Sequence, residues 1–340
     1  MVIHTIEAES RPLTTVQNAF HNVCRHRGHP VTTKESGSTT VLACRFHGWQ
    51  VFQYSVVRTL TNLSTYLPNG ALHTAREYTS LPDFSPAEHS LYKIHTHVTP
   101  QGFIFINFDA SPTPSIPFEN QFGDDFSPTP SSPSNTNTHV DEYELFSKDS
   151  WTYDHTWESS TAGTLYNWKT FADGFQECYH CATEHPSTLP RDFALSSYYL
   201  RQGFGASRHF LPPKPEKEEE MGDSYITWLY PIGAIIFTGT LMFIARFDAR
   251  GALDTRYQSE RYRKKDLLKP CLKYDEWITQ DVGYWRFVEV EDVELAVAAQ
   301  GGFMNGVLGR GRLHSVRGKL ISLPFDSRRG YELIRWQNMP

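Results

Sequence analysis

Cysteine and long apolar runs are scarce in this sequence, and basic residues do not outnumber acidic ones. Only 5 of the 340 residues are cysteines, which is too few for a disulfide scaffold and favours a reducing compartment such as the cytoplasm. The longest apolar stretch, IGAIIFTGTLMFIA at 232–245, is shorter than the ~20 residues of a bilayer span. The N-terminus lacks the basic and apolar regions of a signal peptide. With 32 basic and 38 acidic residues, the chain offers no basic excess for nucleic acid. We therefore expect no membrane or nucleic-acid partner.

Composition divides the chain into three segments. Residues 1–110 alternate β-branched and aromatic stretches with turn residues, as in a small all-β domain. Residues 111–138 are rich in Pro, Ser, Asn and Thr and indicate a linker or long surface loop. Residues 139–340 mix strand patterns with two helical ones, at about 167–185 and in VELAVAAQ, which Gly301-Gly302 should end. The predicted fold class is α+β.

Two short segments each pair one cysteine with one histidine. CRHRGHP begins at Cys24 and contains His26, and CRFHGW begins at Cys44 and contains His47. Two cysteines and two histidines can bind one zinc ion, or a [2Fe–2S] cluster with both thiolates on one iron and both imidazoles on the other. A zinc finger usually groups cysteine with cysteine and histidine with histidine. The mixed order therefore favours the cluster, with zinc as the alternative.

A second segment, NWKTFADGFQECYHCATEHP, holds Glu177, His180 and His185. Glu177 and His180 share a face of a helix, whereas His185 lies off that face unless the helix ends before Pro186. Two histidines and a distant carboxylate make the facial triad that binds Fe(II). The alternative is a pair of histidines without a metal. We interpret Cys178 and Cys181 as small packing residues rather than a redox pair.

These segments together resemble those of the Rieske non-haem iron oxygenases, which include aromatic-ring-hydroxylating dioxygenase α subunits and choline monooxygenase-like enzymes. The resemblance is carried by NVCRHRGHP…CRFHGW, by NWK…ECYHC and by VEDVEL, and it covers the chain from about residue 15 to its end. It implies a Rieske [2Fe–2S] domain within 1–110 and a helix-grip-like catalytic domain, an antiparallel sheet with helices, within 139–340. Family members usually have further strands before the first loop, so a truncated N-terminus is expected.

The resemblance also implies roles for the site residues. It assigns the cluster to Cys24, His26, Cys44 and His47, and the mononuclear iron to His180, His185 and Asp292. Spacing alone does not choose among Glu289, Glu291, Asp292 and Glu294, and the choice of Asp292 comes from the resemblance. Glu177 is implied to be an acidic bridge that carries electrons between neighbouring subunits of a ring-shaped homotrimer. It departs from the aspartate of the ring-hydroxylating dioxygenases.

The implied activity consumes O₂ and electrons from NAD(P)H. No G-x-G-x-x-G follows a strand pattern, so a separate flavin- or ferredoxin-type reductase is expected. ECYHC and VEDVEL are most similar to the branch that acts on quaternary ammonium compounds such as choline, betaine and carnitine, by hydroxylation or oxidative demethylation. The alternatives are a hydroxylase of an aromatic or secondary-metabolite substrate, and a non-catalytic relic or electron carrier.

A trimethylammonium group is held by aromatic faces. The aromatic residues considered for this contact, each of which has core packing as its alternative role, are Trp228, Tyr230, Phe237, Tyr284 and Trp285.

Overall fold

The chain divides into two units in the computed structural model. The first comprises Met1–Val98 with Ile106–Ser115, and the second Thr99–Phe105 with Ile116–Pro340. The structure describes residues 2–6, 16–34, 42–46, 49–50, 64–66, 69–75, 77–78, 80–99, 101–126, 150–158, 165–203, 205–218, 224–231, 233–238, 241–265, 272–306 and 331–336. The domain limits near 110 and 138 remain predictions.

The first unit is built from short strands. Their bounds are β1 Val2–Ile6, β2 Val16–Phe20, β3 Trp49–Gln50, β4 Ser64–Tyr66, β5 Leu72–Thr74 and β6 Lys93–Val98. β2 pairs antiparallel with β1 and β6, while β4 pairs parallel with β3 and antiparallel with β5. A buried cluster that includes Phe20, Leu72 and Leu91 forms the core. β7, Phe103–Asn107, follows in the chain.

The second unit contains a seven-stranded sheet in the order β8-β14-β13-β12-β11-β10-β9, in which neighbouring strands are antiparallel. The strand bounds are β8 Trp151–Glu158, β9 Tyr199–Gln202, β10 Ala206–Leu211, β11 Ser224–Leu229, β12 Gly233–Phe237, β13 Leu241–Gly251 and β14 Asp254–Lys264; a last strand, β15, spans Tyr331–Trp336. The helices are α1 Phe118–Phe126, α2 Trp168–Phe175, α3 Cys181–Glu184, α4 Leu189–Asp192 and α5 Leu272–Met304. This sheet with helices confirms the fold class predicted for the catalytic domain.

Strand β13 shows why this region of the sequence is apolar at almost every position. Side chains alternate between the two faces of a strand. Phe243, Ala245 and Phe247 pack in clusters that contain residues of α5. Met242 and Ile244 pack on the other face, in the cluster that contains α1. Strand β12 and the first half of β13, which make up most of this apolar run, are therefore covered on both faces.

Helix α1 lies within the segment that the composition assigns to a linker or loop. Phe118, Phe122 and Phe126 recur every four residues, which places them on one helical face. All three are buried in the core of the second unit. Because Pro and Ser are abundant over 111–138, the composition of this segment does not reveal the short amphipathic helix.

The single helix predicted over 167–185 is wrong. α2 begins after Asn167, whose side chain accepts a hydrogen bond from the Lys169 N–H, and ends at Phe175. Gln176 caps its C-terminus, and its side chain is buried and bonded to β10. That side-chain contact, formed between distant parts of the chain, replaces a further turn of helix.

Helix α5 is longer than the eight-residue helix VELAVAAQ. It spans Leu272–Met304 and continues through Gly301 and Gly302, which were predicted to end it. Packing of its apolar side chains against the sheet outweighs the low helix propensity of the two glycines. None of the helices in the described ranges combines the length and apolar character of a membrane span. The cytoplasmic location remains a prediction.

Candidate metal centre

Two histidines and one aspartate converge in the second unit. The Nε2 atoms of His180 and His185 each lie 3.2 Å from Oδ1 of Asp292. The three potential ligand atoms lie within 4.8 Å of one another, which suits a single metal ion. These are the three residues that the sequence resemblance assigns to the mononuclear iron.

The one-turn helix α3 brings the two histidines side by side. His180 precedes the helix and His185 follows it, where the backbone leaves the helical region with φ −106° and ψ 43°. Their ring centroids are 5.2 Å apart. A continuous helix would direct residues five apart to different faces. The helix end at His185 removes this difficulty, as the following Pro186 predicts.

Asp292 reaches the histidines from helix α5. Gln300, farther along this helix, accepts hydrogen bonds through Oε1 from the Asn167 N–H at 3.0 Å and from Thr170 Oγ1 at 2.8 Å. These bonds join α5 to the first turn of α2. The element that carries the carboxylate is thus fixed to the element that leads into the histidine segment.

Each histidine is also held through its second ring nitrogen. His185 Nδ1 lies 2.7 Å from Oε2 of Glu291, and His180 Nδ1 lies 2.9 Å from the carbonyl oxygen of Glu177. A proton on each Nδ1 satisfies these oxygens and leaves Nε2 directed toward Asp292, which is how metal-binding histidines are usually oriented. Two imidazole nitrogens and one carboxylate are the donor set of non-haem Fe(II) sites. The residues present therefore fit a mononuclear iron.

The electrostatics of the site favour an ionised carboxylate. Burial tends to raise the pKa of Asp292, but hydrogen bonds and charge from His180 and His185 lower it below its ordinary value. Burial tends to lower the pKa of His185, but Asp292 and Glu291 together raise it. A bound metal cation would release a proton from this site.

Glu177, the predicted electron bridge, lies in the turn between α2 and α3. Its N–H donates to the Gly174 carbonyl at 3.2 Å. Cys178 and Cys181, which lie in and directly after this turn, are joined by a disulfide. The interpretation of these two cysteines as separate packing residues is therefore wrong, although Cys181 is buried.

A buried ion pair next to Asp292 was not predicted from the sequence. Arg261 on β14 has no exposed side-chain surface and donates to Oε2 of Glu289 at 2.5 Å. The Tyr257 hydroxyl donates to Oε1 of the same carboxylate, also at 2.5 Å. Glu289 lies three residues before Asp292, so the pair fixes the rotation of α5 at the site. The acidic run in α5 hints at Glu289, but Arg261 lies among other polar residues of a strand and carries no distinguishing signal.

In the first unit, the two predicted cluster thiols lie in one buried cluster. Cys24 and Cys44 are each 2% exposed and belong to the same apolar cluster. His26 lies in the turn that follows Cys24, where Gly28 has φ +71°, a conformation that favours glycine. His47 lies outside the described residues. The two predicted cysteine ligands thus lie in one buried cluster, and the assignment of all four cluster ligands remains a prediction.

Asn22 closes the loop that carries Cys24 and His26. Its Oδ1 accepts hydrogen bonds from the N–H groups of Val31 at 2.8 Å and Thr32 at 3.0 Å. Its Nδ2 donates to the Thr32 carbonyl at 2.7 Å. The Asn22 side chain therefore joins the two ends of the loop through three hydrogen bonds.

The aromatic residues considered for a trimethylammonium contact do not surround a common site. Phe237 packs with Trp151 in one cluster, Trp228 lies in a second, and Trp285 with Tyr284 lies in a third. Tyr230 packs edge-on against Trp168, with ring centroids 6.2 Å apart. These contacts support the core-packing alternative for the four residues in clusters.

Replacing Arg261 should destabilise the protein. Arg261→Met leaves the Glu289 carboxylate buried without its cation, and we expect a loss of about 3–5 kcal/mol in the free energy of unfolding. The double variant Arg261→Met/Glu289→Leu should recover part of that loss. Arg250→Met is the control, because the Arg250–Asp254 pair is half-exposed and should contribute less than about 1 kcal/mol. Denaturant unfolding of the wild type and the three variants measures the free energies of unfolding. Equal losses in Arg261→Met and Arg250→Met would contradict the assignment.

Replacing Glu291 should weaken metal binding without unfolding the protein. Glu291→Ala removes the acceptor for His185 Nδ1, and the affinity for Fe(II) should fall about 10–100-fold. Glu294→Ala changes an exposed residue on the same helix and should leave the affinity unchanged. Competition with a colorimetric ferrous chelator under anaerobic conditions gives both values. The orienting role is excluded if both variants bind Fe(II) as tightly as the wild type.

Comparison with known families matches both parts of the chain. Residues 148–318, half of its length, match the model of the ring hydroxylating alpha subunit (catalytic domain). Residues 9–65 match the model of the Rieske [2Fe-2S] domain. The Rieske match includes both predicted Cys/His pairs, and the catalytic match includes both histidines and Asp292.

Individual relatives are similar over different lengths. The carnitine monooxygenase oxygenase subunit of Escherichia coli (strain K12) is 23% identical over 307 residues, which cover 88% of this chain and 71% of that protein. A glycine betaine monooxygenase oxygenase subunit of Pseudomonas aeruginosa (strain UCBPP-PA14) is 30% identical over 172 residues, 51% of this chain and 32% of the relative.

Solved structures show the same fold. A quaternary ammonium Rieske monooxygenase, whose structure concerns carnitine oxidation and inter-subunit electron transfer, has a TM-score of 0.66 at 21% identity and covers 91% of this chain and 74% of its own. A naphthalene 1,2-dioxygenase variant bound to phenanthrene has a TM-score of 0.55 at 16% identity, with 97% and 74% covered. Because the catalytic-domain model spans half of the chain and the Rieske model matches its N-terminal part, this protein belongs to the ring-hydroxylating α-subunit family and is a Rieske oxygenase.

Proposed function

We propose that this protein is the oxygenase component of a Rieske monooxygenase that acts on a quaternary ammonium compound. The observation that carries the proposal is the convergence of His180, His185 and Asp292, whose potential ligand atoms lie within 4.8 Å of one another. We infer that these residues hold a mononuclear Fe(II), and that Cys24, His26, Cys44 and His47 hold the [2Fe–2S] cluster. When bound, the iron supplies O₂ activation and the cluster supplies single electrons.

The surrounding residues prepare the site for that chemistry. Glu291 and the Glu177 carbonyl hold the two imidazoles in the tautomer that presents Nε2. Asp292, ionised and in contact with both histidines, provides the anionic ligand. Because the protein would supply only three donors, a bound iron would have further coordination positions for oxygen and substrate.

Electrons would enter through Glu177. Its carboxylate belongs to the turn that also positions His180, so a cluster approaching this turn would be connected to the iron by few bonds. We infer that the cluster comes from a neighbouring subunit of a homotrimer. The electrons would originate from NAD(P)H and pass through a separate flavin- or ferredoxin-type reductase. One oxygen atom would enter a substrate C–H bond and the other would leave as water.

Two relatives support a quaternary ammonium substrate, since they are named for carnitine and glycine betaine. A second candidate is a hydroxylase of an aromatic or secondary-metabolite substrate. The packing of Trp228, Phe237 and Trp285 into separate core clusters argues against a trimethylammonium cage built from these residues, because such a cage needs aromatic faces around one point. Substrate-dependent O₂ uptake with carnitine, glycine betaine, choline and a panel of aromatic compounds separates the two candidates.

Metal and sulfide content tests the proposed cofactors. Protein prepared without oxygen should contain about three irons and two acid-labile sulfides per chain. After reduction, its EPR spectrum should be that of a Rieske cluster. Two irons with two sulfides would leave an electron carrier without the mononuclear site, and zinc in place of sulfide would contradict the cluster.

Glu177→Gln should separate metal binding from electron transfer. The amide keeps the size of the side chain but removes its charge, so both metal sites should stay loaded while turnover is lost. Single-turnover oxidation of the pre-reduced cluster, followed by visible absorbance with substrate and O₂ present, measures the transfer. Glu184→Gln, in the same segment, is the control and should reoxidise like the wild type. A Glu177→Gln protein with the wild-type rate would rule out the bridge.

A further inference from the structure

A chain of buried polar side chains lies behind the turn that carries Glu177 and His180. Gln176, the residue before Glu177, is buried at 6% exposure. Its Oε1 accepts hydrogen bonds from Ser207 Oγ and from His209 Nε2, the latter at 3.3 Å. Ser207 and His209 belong to strand β10, which lies between β11 and β9 in the sheet, and they are 0% and 4% exposed. The amide side chain of Gln176 therefore connects the turn to the sheet by hydrogen bonds.

The hydrogen-bond directions along this chain are mutually consistent. The hydroxyl oxygen of Tyr198 lies 2.6 Å from His209 Nδ1. If Tyr198 donates to Nδ1, the imidazole proton must be on Nε2, where it donates to Gln176. Burial lowers the pKa of His209 to about 3, and burial with the nearby Glu177 charge raises the pKa of Tyr198. Near neutral pH, Tyr198 therefore stays protonated and His209 stays neutral. The hydrogen bonds of this buried polar chain do not change, and it acts as a fixed support.

The support continues from Gln176 to the metal ligand through the backbone. Gln176 caps α2 and begins the turn, and the next carbonyl, that of Glu177, accepts the proton of His180 Nδ1 at 2.9 Å. A shift of Gln176 would move this carbonyl and with it the orientation of the His180 ring. It would also move the base of the Glu177 side chain. Neither Ser207 nor His209 belongs to the ligand set itself.

We propose that His209 is a positioning residue, which acts through Gln176 to hold the turn carrying His180 and Glu177. The proposal rests on the proposed iron site. It adds hydrogen bonds from the sheet to the contacts that already hold the two histidines. Supporting hydrogen bonds of this kind typically change metal affinity by about 10–100-fold when removed.

Fe(II) affinity of the full chain tests this role independently of turnover. His209→Phe keeps an aromatic ring in the core but removes both hydrogen bonds, and the affinity should fall about 10-fold or more. His209→Gln keeps an N–H for Gln176 and should recover most of the affinity. Ser207→Ala removes one of two donors to Gln176 and should cost about 3- to 10-fold; it tests the proposal if the Phe variant does not fold.

The matched control removes a buried hydrogen bond that does not touch the turn. Thr99, also in the second unit, is 3% exposed, and its Oγ1 accepts a hydrogen bond from the Phe103 N–H at 3.1 Å. Thr99→Val should lower thermal stability and leave Fe(II) affinity unchanged. The Rieske EPR signal should be the same in every variant, because the cluster lies in the other unit.

The outcomes distinguish the proposal from the assigned function. Wild-type protein that binds Fe(II), with His209→Phe and Ser207→Ala binding it equally well, would overturn the positioning role alone. Wild-type protein that binds no Fe(II) would overturn both the role and the iron site. A loss of affinity in Thr99→Val equal to that in Ser207→Ala would show that the effect comes from general stability, and it would also overturn the role.

Discussion

The contact of one carboxylate oxygen with two imidazoles is the interaction on which the catalytic unit depends. Oδ1 of Asp292 lies 3.2 Å from Nε2 of both His180 and His185, and these residues come from segments more than a hundred positions apart in the chain. Such a cluster of polar groups is costly to bury unless each member is paired. The fold therefore has to fix α5, α3 and the preceding turn against one another before a metal can bind.

Each side of the site is held by a different kind of contact. Glu291 binds His185 from the same helix that carries Asp292, the Glu177 backbone binds His180 from the turn, and Gln300 joins α5 to α2. The ion pair of Arg261 and Glu289 connects α5 to the sheet. A buried pair of this kind contributes little net stability. Its value here lies in fixing the rotation of the helix, since Glu289 and Asp292 lie on neighbouring turns.

The first unit meets a different constraint, because a cluster needs thiolates that are shielded from solvent and a loop that does not move. Cys24 and Cys44 are buried together, and Asn22 closes the first loop with three hydrogen bonds to its backbone.

The sequence by itself determined the family and its class of chemistry. The mixed Cys/His pairs, the spacing of His180 and His185, and the resemblance around Asp292 were sufficient for this, because short segments contain the ligand types and their local spacing. Only the tertiary structure revealed the break between α2 and α3, the burial of α1 and the contacts of Arg261, Glu291 and His209. These features arise from contacts between residues distant in sequence, such as Gln176 with β10. Local secondary-structure propensity does not encode such contacts.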